Sequence, residues 1–222
     1  MTAPAAVTTS VAVSIEARAL THRYGRRVAL ESLNFEVSPG ITAVTGSNGS
    51  GKSTLLRIVS GLLRPSAGEC TVTVGGRKLS NGERRHFVGL ATPELSFYEE
   101  MSALENLAFA AEARGLADPR ASARAALEKI ELIRRADDRV GALSSGMRQR
   151  LRLGFAALGD PPILLLDEPG SHLDDAGRST LDRWIADHAN RGLMLLATND
   201  EREWRLADRR IELRSRNLGD PA

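Results

Sequence analysis

One short loop carries residue types that bind polyphosphate. The stretch TGSNGSGKST, residues 45–54, matches the spacing G-x-x-x-x-G-K-[ST] with Gly46, Gly51, Lys52 and Ser53. Glycines let several backbone N–H groups approach an anion, because no side chain stands in the way. Lys52 supplies a positive charge for the β- and γ-phosphates, and the Ser53 hydroxyl can ligate a Mg²⁺ ion shared with them. The pattern predicts a phosphate-binding loop with a metal site.

The residues on either side of the loop predict the elements that position it. An apolar run, residues 41–44, precedes the loop as a strand, and four apolar residues follow at helical spacing: Leu55, Leu56, Val59 and Leu62. A helix that begins at the loop directs the positive end of its dipole toward the anion. A Gly/Ser-rich linker can match the motif by accident, but the flanking strand and helix favour the phosphate-binding interpretation.

Two adjacent carboxylates end a second apolar strand. Residues 163–166 are continuously apolar, and Asp167 and Glu168 follow them directly. The carboxyl edge of a parallel sheet is where α/β proteins bind ligands. Asp167 can complete the Mg²⁺ shell with Ser53, and Glu168 can polarise a water for in-line attack on a γ-phosphate. One acidic residue before a Pro-Gly turn is common without any function, whereas a pair beside a phosphate loop favours the catalytic interpretation.

The order of predicted elements indicates an α/β chain with a helical insert. The first third is β-rich and includes GECTVTVGGRKL, in which Gly75 and Gly76 predict a hairpin turn. In the middle third, Ser102 and Glu105 form a capping box that begins a helix, and Gly115 ends it. The chain therefore changes from β-rich to helical before the strand that carries the carboxylates.

Further helices follow, and the last portion alternates strands with a helix. A second helix of the insert is predicted from about Pro119 to Ile133, and a third carries the stripe Met147, Leu151, Phe155 and Leu158. The strand PILLLDEP is followed by a helix and then by the strands LMLLAT and RRIEL. The apolar stripe of this helix is Leu181, Trp184, Ile185 and His188. This alternation predicts a parallel sheet, and His188 is expected to pack rather than to catalyse.

Composition restricts the classes of function. The 222 residues are 42% apolar, enough for the core of one domain, and carry a formal net charge of +2 with a pI of about 9.0. This balance does not suggest nucleic-acid binding. A single cysteine, Cys70, excludes an internal disulfide framework and fits a reducing cytosol. The start, MTAPAAVTTSVA, is interpreted as a disordered tail rather than a signal peptide, and any membrane role is expected to require a partner.

The segment LSSGMRQRL, residues 143–151, adds a second group of anion-binding candidates. Ser144 is a good N-cap, and the helix behind it offers free N–H groups, although an ordinary capped helix has the same pattern. With this segment the chain resembles the ATP-binding subunits of ABC transporters over nearly its whole length and in their motif order. The family signature Leu-Ser-Gly-Gly-Gln is matched by Leu143, Ser144, Ser145, Gly146 and Met147.

The resemblance implies a fold class and a domain plan. The fold is an α/β P-loop NTPase core with a parallel sheet, an N-terminal antiparallel β-subdomain and an inserted α-helical subdomain. One ATPase domain is expected over residues 13–216, with tails at 1–12 and 217–222. Residues 13–93 and 159–216 would form the core and β-subdomain, and residues 94–158 the helical subdomain.

The resemblance also assigns roles around bound ATP and Mg²⁺. The ATP-binding residues are Tyr24, Gly46, Ser47, Asn48, Gly49, Ser50, Gly51, Lys52, Ser53 and Thr54. Tyr24 would stack on adenine, with core packing as the alternative. The metal ligands are Ser53 and Asp167, with Glu94 as a further candidate. The loop Ser171, His172, Leu173 and Asp174 would cross a dimer interface, with a simple helix start as the alternative.

Two positions depart from the family pattern. The family has a glutamine after the strand that precedes the helical insert, where this chain offers Glu94, or Pro93 under a shifted alignment. It also has a histidine after the late strand, where this chain has Asn199. The catalytic candidates are therefore Glu168, Asn199 and Glu94, and ATP hydrolysis is expected to be slow.

The resemblance implies partners and a location. It implies two ATP molecules in a head-to-tail dimer with itself or a homologous subunit, separately encoded transmembrane permease subunits, no nucleic acid, and a peripheral cytoplasmic position on the inner face of the membrane. Motion would pass through the segment 94–105. The finer likeness is to haem-exporter-like or drug-exporter-like subunits. Two alternatives stay open: a catalytically weak regulatory subunit, and a soluble ABC ATPase that acts on ribosomes or DNA.

Overall fold

Two β-sheets and a group of helices build the chain. The computed structural model describes residues 12–214, so most of the two predicted tails lie outside the described residues. The strands are β1 Val13–Tyr24, β2 Arg27–Val37, β3 Gly40–Thr45, β4 Ala67–Val74, β5 Arg77–Lys78, β6 Val88–Ala91, β7 Ile163–Asp167, β8 Leu193–Ala197 and β9 Arg209–Glu212. The helices are α1 Lys52–Val59, α2 Asn81–Arg84, α3 Ala103–Ala113, α4 Pro119–Lys129, α5 Ser145–Ala157, α6 Asp175–Ala189 and α7 Glu201–Trp204.

One sheet is antiparallel and the other is parallel, as predicted. An antiparallel sheet has the order β2-β1-β4-β5, and a parallel sheet has the order β6-β7-β8-β3-β9. Gly75 and Gly76, with φ of 59° and 78°, form the turn between β4 and β5, as the sequence predicts. The predicted α/β fold with an antiparallel sheet and helical insert is thereby confirmed.

Strands β7 and β8 are buried along their whole length, because both faces of the parallel sheet are covered. Ile163, Leu165, Leu193 and Leu195 pack with α1 and the antiparallel sheet. Leu164, Leu166, Met194 and Leu196 pack with the helical insert and α6. Continuous apolar runs in the sequence therefore become the central strands, with α1 and the phosphate loop fixed on one side.

The helical insert agrees with the sequence at its start and differs in its middle. Ser102 and Glu105 form the predicted capping box of α3, and Gly115 has φ of 75° just beyond its end. Helix α4 ends at Lys129, before the predicted Ile133. The reason is Glu131, whose φ of 54° is incompatible with a continuing right-handed helix.

Helix α5 buries a wider face than its apolar stripe indicates. Leu151 is buried and Met147 and Phe155 are partly buried, as predicted, whereas Leu158 lies just past the helix end. The polar residue Gln149 is also buried, with 3% of its surface exposed. Within residues 12–214, none of the helices combines the length and apolar character needed to cross a bilayer.

Candidate nucleotide-binding site

Strand register brings the ends of three strands to one edge of the parallel sheet. Val44 of β3 pairs with Ala197 of β8, and Asp167 of β7 pairs with the same residue. The segments that follow these strands carry the phosphate loop, Glu168 and Asn199. Residues far apart in the chain therefore meet at the carboxyl edge, where α/β folds bind ligands.

The backbone of the phosphate loop requires glycine at two positions. Gly46 and Gly51 have φ of 149° and 101°, a region that L side chains disfavour. A Cβ on Gly51 would clash with the carbonyl oxygen of Ala29, and one on Gly46 would clash with that of Leu213. Gly51 is the N-cap of α1 and provides no side-chain cap, so the first N–H groups of the helix remain available to an anion.

Lys52 lies at the centre of the site and is 7% exposed. Its Nζ donates to the Gly46 carbonyl at 2.7 Å and to Asn199 Oδ1 at 3.0 Å. Glu168 Oε1 lies 3.8 Å from the same ammonium group. The Asn199 amide also donates to Asn48 Oδ1 at 2.8 Å. Asn199 thus belongs to this site and connects two residues of the phosphate loop.

Asp167 is a buried carboxylate next to Ser53 and Lys52. The residue is 3% exposed, and burial raises the pKa of its carboxyl group, with Glu168 and Glu94 adding to the rise. The Ser53 hydroxyl and the Lys52 charge oppose this rise in pKa. Oδ2 of Asp167 is buried and has no hydrogen-bond partner within residues 12–214. A divalent cation between Asp167 and Ser53 would satisfy this oxygen, so the residues fit Mg²⁺.

Glu168 has an unusual backbone conformation at the sheet edge. Its φ is 47°, in the left-handed region that a non-glycine residue adopts only where its surroundings hold it. Its N–H donates to the Ala197 carbonyl at 2.8 Å, and its side chain is 30% exposed. The carboxylate therefore faces the open part of the site, while the buried Asp167 stays against the strand.

An open cleft of about 270 Å³ lies above the phosphate loop. It is lined by Tyr24, Arg27, Ala29, Asn48, Gly49, Gly51, Lys52, Ser53, Thr54, Arg57, Pro93, Asp167 and Glu168. Tyr24 is 45% exposed at its rim, with its hydroxyl 3.5 Å from Thr54 Oγ1, so it is not a core residue. Tyr24 and Lys52 both line this cleft.

Pro93 and Glu94, the two candidates for the position of the family glutamine, have different surroundings. Pro93 lines the cleft. Glu94 is turned toward Arg57 of α1, with Oε1 and Nη2 3.1 Å apart. Glu94 therefore lies near Asp167, whose pKa it raises, but its carboxylate is paired with the Arg57 guanidinium.

The signature residues and the following loop lie together outside this cleft. Ser144 Oγ accepts from Met147 N–H at 3.2 Å, which confirms the predicted N-cap of α5, and Ser144 and Ser145 are exposed. A Cβ on Gly146 would come 2.9 Å from the carbonyl oxygen of His172, an exposed residue with φ of 64°. Leu143 and Leu173 are buried in the core. Asp174 caps α6 by accepting from Gly177 N–H at 2.8 Å, so the helix-start interpretation of this loop holds for Asp174.

Four further residues contact the site without having been singled out from the sequence. Arg27 donates to the Gly49 carbonyl at 3.1 Å, and Arg57 lines the cleft. Gln149 donates to the Pro169 carbonyl at 3.0 Å, and Glu203 accepts from Gly170 N–H at 2.9 Å. Of these four residues, the sequence pattern could have indicated Gln149, because it is a polar residue beside the apolar stripe of α5. The contacts of Arg27, Arg57 and Glu203 depend on tertiary packing.

Known proteins resemble this chain in sequence and in fold. The sequence profile of a family described as ABC transporter matches residues 30–171. An ABC transporter ATP-binding protein of Halobacterium salinarum is 38% identical over 220 residues, which cover 94% of each chain. The sulfate/thiosulfate import ATP-binding protein CysA of Bradyrhizobium diazoefficiens is 35% identical over 200 residues; the match covers 86% of this chain and 58% of the CysA chain.

The fold of this chain also resembles that of a solved structure. The ATP-binding cassette MJ0796, in a dimeric post-hydrolysis state bound to ADP and phosphate, superposes with a TM-score of 0.80 at 25% identity. The superposition covers 90% of this chain and 94% of that one.

Proposed function

Because the chain belongs to the ABC transporter family, as one of its ATP-binding subunits, we propose that it binds MgATP in the cleft above Lys52 and hydrolyses it with Glu168 as general base. The observation that carries this proposal is the meeting of Lys52, Asp167 and Glu168 at one sheet edge, next to a loop whose N–H groups are free to bind an anion. The proposal of Mg²⁺ is supported by Asp167 Oδ2, which is buried and has no hydrogen-bond partner within the described part of the chain.

Each residue has a role that follows from its position. Ser53 and Asp167 would hold Mg²⁺, which neutralises charge on the phosphates. Lys52 would exchange the Gly46 carbonyl and the Asn199 amide for phosphate oxygens, a change between acceptors that needs only side-chain movement. Glu168 would accept a proton from the attacking water, and the Asn199 amide would donate to the γ-phosphate.

We assign Ser144 and Gly146 to the partner's nucleotide in a head-to-tail dimer with a second copy or a homologous subunit. Within one chain, these residues are outside the cleft lining, and Ser144, which caps α5, is exposed. The loop 171–174 contacts Gly146 through His172, so the loop and the signature would share the interface. The dimer thus closes around two ATP molecules.

The docking surface for a membrane permease is proposed on the helical insert. Tyr98 and Phe109 are 57% and 53% exposed, and their rings pack edge to face with centroids 5.8 Å apart. Tyr98 lies in the segment 94–105, which starts at the nucleotide cleft with Glu94. A permease bound there would place this subunit at the cytoplasmic face of the membrane and would sense the state of the cleft.

A regulatory subunit that binds ATP and turns it over very slowly is the second candidate. It is favoured by Asn199, since a neutral amide cannot make the charge-assisted contact of a protonated imidazole. A wild-type steady-state ATPase rate above that of Glu168→Gln supports the transport ATPase, and equal rates support the regulatory subunit.

The proposed mechanism is tested by Glu168→Gln. The amide keeps the shape of the side chain and removes the base, so this variant should retain ATP and accumulate as a dimer in gel filtration with MgATP. Glu112→Gln, an exposed residue of α3, is the matched control and should behave as wild type. A Glu168→Gln protein that binds MgATP and elutes only as a monomer would contradict the sandwich dimer.

A further inference from the structure

A buried carboxamide on the signature helix contacts the turn that carries the general base. Gln149 of α5 is 3% exposed, and its Nε2 donates to the carbonyl of Pro169 at 3.0 Å and to that of Glu168 at 3.3 Å. Its Oε1 accepts from Arg152 at 3.1 Å. The side chain therefore makes three hydrogen bonds, one with a neighbour on its own helix and two with carbonyls of the turn.

The turn from Glu168 to Gly170 is strained and is held from two sides. Glu168 has φ of 47°, a conformation that costs free energy unless the surroundings impose it. Gln149 holds the carbonyl side of the turn. On the other side, the buried Glu203 of α7 accepts from Gly170 N–H at 2.9 Å, and a Cβ at Gly170 would clash with its carboxylate.

Helix α5 also connects to the segment that leads from the cleft to the insert. Arg152 donates through Nε to the Leu95 carbonyl at 3.0 Å, and the adjacent Glu94 pairs with Arg57 of the phosphate-loop helix. The same helix begins at Ser144, the residue assigned to the partner's nucleotide. A displacement of α5 when the dimer closes would therefore act on Glu168 through Gln149 and on Glu94 through Arg152.

We propose that Gln149 is a positioning residue that fixes the place of the Glu168 carboxylate according to the position of α5. The inference rests on the proposed function of Glu168 as general base. Gln149 lies outside the cleft lining and would touch neither ATP nor Mg²⁺. Its effect is therefore on the proton-transfer geometry, which depends on sub-ångström placement of the base, rather than on nucleotide affinity.

The test is the variant Gln149→Leu in the full chain, with kcat, KM for MgATP and Tm measured together. We expect kcat to fall by about ten- to thirtyfold with KM changed by less than about twofold, since loss of the two donors releases the base but not the nucleotide. The matched control is Asn106→Leu. Asn106 is another buried carboxamide of the insert, 4% exposed, and its side chain bonds to the backbone of Tyr98, Met101 and Ser102 before α3. The variant Asn106→Leu should lower Tm about as much as Gln149→Leu does, while its kcat stays near that of the wild type.

The outcomes separate positioning from stability. A fall in kcat no larger than that of Asn106→Leu at the same loss of Tm would overturn the proposal, as would a rise in KM that accounts for the loss of rate. If Gln149→Leu does not fold, Gln149→Met, which keeps the length of the side chain, is measured in the same way.

A double-mutant cycle distinguishes this inference from the proposed function. In a Glu168→Gln background, Gln149→Leu should reduce the single-turnover rate no further, because the two residues act as one unit. A further tenfold loss would overturn the positioning role. If Glu168→Gln alone leaves the rate unchanged, the assignment of the general base is wrong. If Glu168→Gln abolishes turnover and Gln149→Leu is normal, the base stands and the positioning role fails.

Discussion

Asn199 Oδ1 accepts a hydrogen bond from Lys52 Nζ at 3.0 Å, across 147 positions of sequence. The other end of the Asn199 amide donates to Asn48 Oδ1 at 2.8 Å. The Asn199 side chain therefore bridges Asn48 and Lys52 of the phosphate loop. It holds the Lys52 ammonium group, which is the charge assigned to the phosphates. We expect a bound triphosphate to replace the contact between Asn199 Oδ1 and Lys52, and the Asn199 Nδ2 group would then donate to the γ-phosphate.

The first prediction concerns the chemistry of position 199. Asn199→His should hydrolyse ATP faster than wild type by about ten- to thirtyfold, because a protonated imidazole makes a charge-assisted bond to the γ-phosphate in the transition state. Asn199→Ala should be slower than wild type, since it loses the donor. Steady-state ATPase rates of the three proteins check this, and equal rates would remove Asn199 from the reaction.

Lys52→Ala should weaken MgATP binding by about ten- to hundredfold, because it removes a charge-assisted contact in a buried site. Affinity can be measured by titration with a fluorescent ATP analogue. Lys78→Ala serves as the control, since Lys78 is an exposed lysine of β5. Unchanged affinity in Lys52→Ala would refute the assignment of the phosphate loop.

Ser144→Arg should abolish turnover and leave nucleotide binding by the monomer intact, because Ser144 is proposed to contact the partner's nucleotide. The substitution also removes the N-cap of α5, which costs about 1 kcal/mol of stability. Asp118→Arg controls for this loss: Asp118 caps α4 by accepting from Ala121 N–H at 2.9 Å and is remote from the cleft lining. Weaker ATP binding by monomeric Ser144→Arg would instead place Ser144 in the site of its own chain.

His188 should make the protein less stable in mild acid. Burial and, to a smaller extent, the charge of Arg191 lower the pKa of its imidazole from 6.5 to about 4, against a backbone hydrogen bond at Leu193 and the charge of Asp160. Below pH 6.5 the unfolded histidine binds a proton that the folded one resists. The stability contribution is therefore complete above pH 6.5 and is lost as the pH falls toward 4.

Urea unfolding at two pH values measures this effect. Between pH 7 and pH 5 the histidine should lower the free energy of unfolding by about 2 kcal/mol. His188→Leu should lose this part of the pH dependence, and His86→Gln, at an exposed position, should retain it. Identical pH dependence in wild type and His188→Leu would show that His188 does not titrate as described.

Local features were predictable because they depend on residues a few positions apart. The capping box of Ser102 and Glu105, the turn at Gly75 and Gly76, and the apolar strands all follow from such short-range patterns, and the structure has each of them. The end of α4 was predicted too late, because the left-handed conformation of Glu131 belongs to a tertiary setting in which its carboxylate accepts from Thr180 at 3.0 Å.

The sequence by itself determined the phosphate loop, the strand and helix on either side of it, and the pair Asp167 and Glu168, because covalent spacing places these groups together in any fold that forms those elements. Only the tertiary structure decided that Asn199 contacts Lys52, that Glu94 pairs with Arg57, and that Gln149 contacts the Glu168 turn. These contacts depend on the register of parallel strands and on where α5 packs, which no local pattern specifies. A side chain that bonds to a backbone carbonyl recognises no residue type in its partner, so such contacts leave no motif in the sequence.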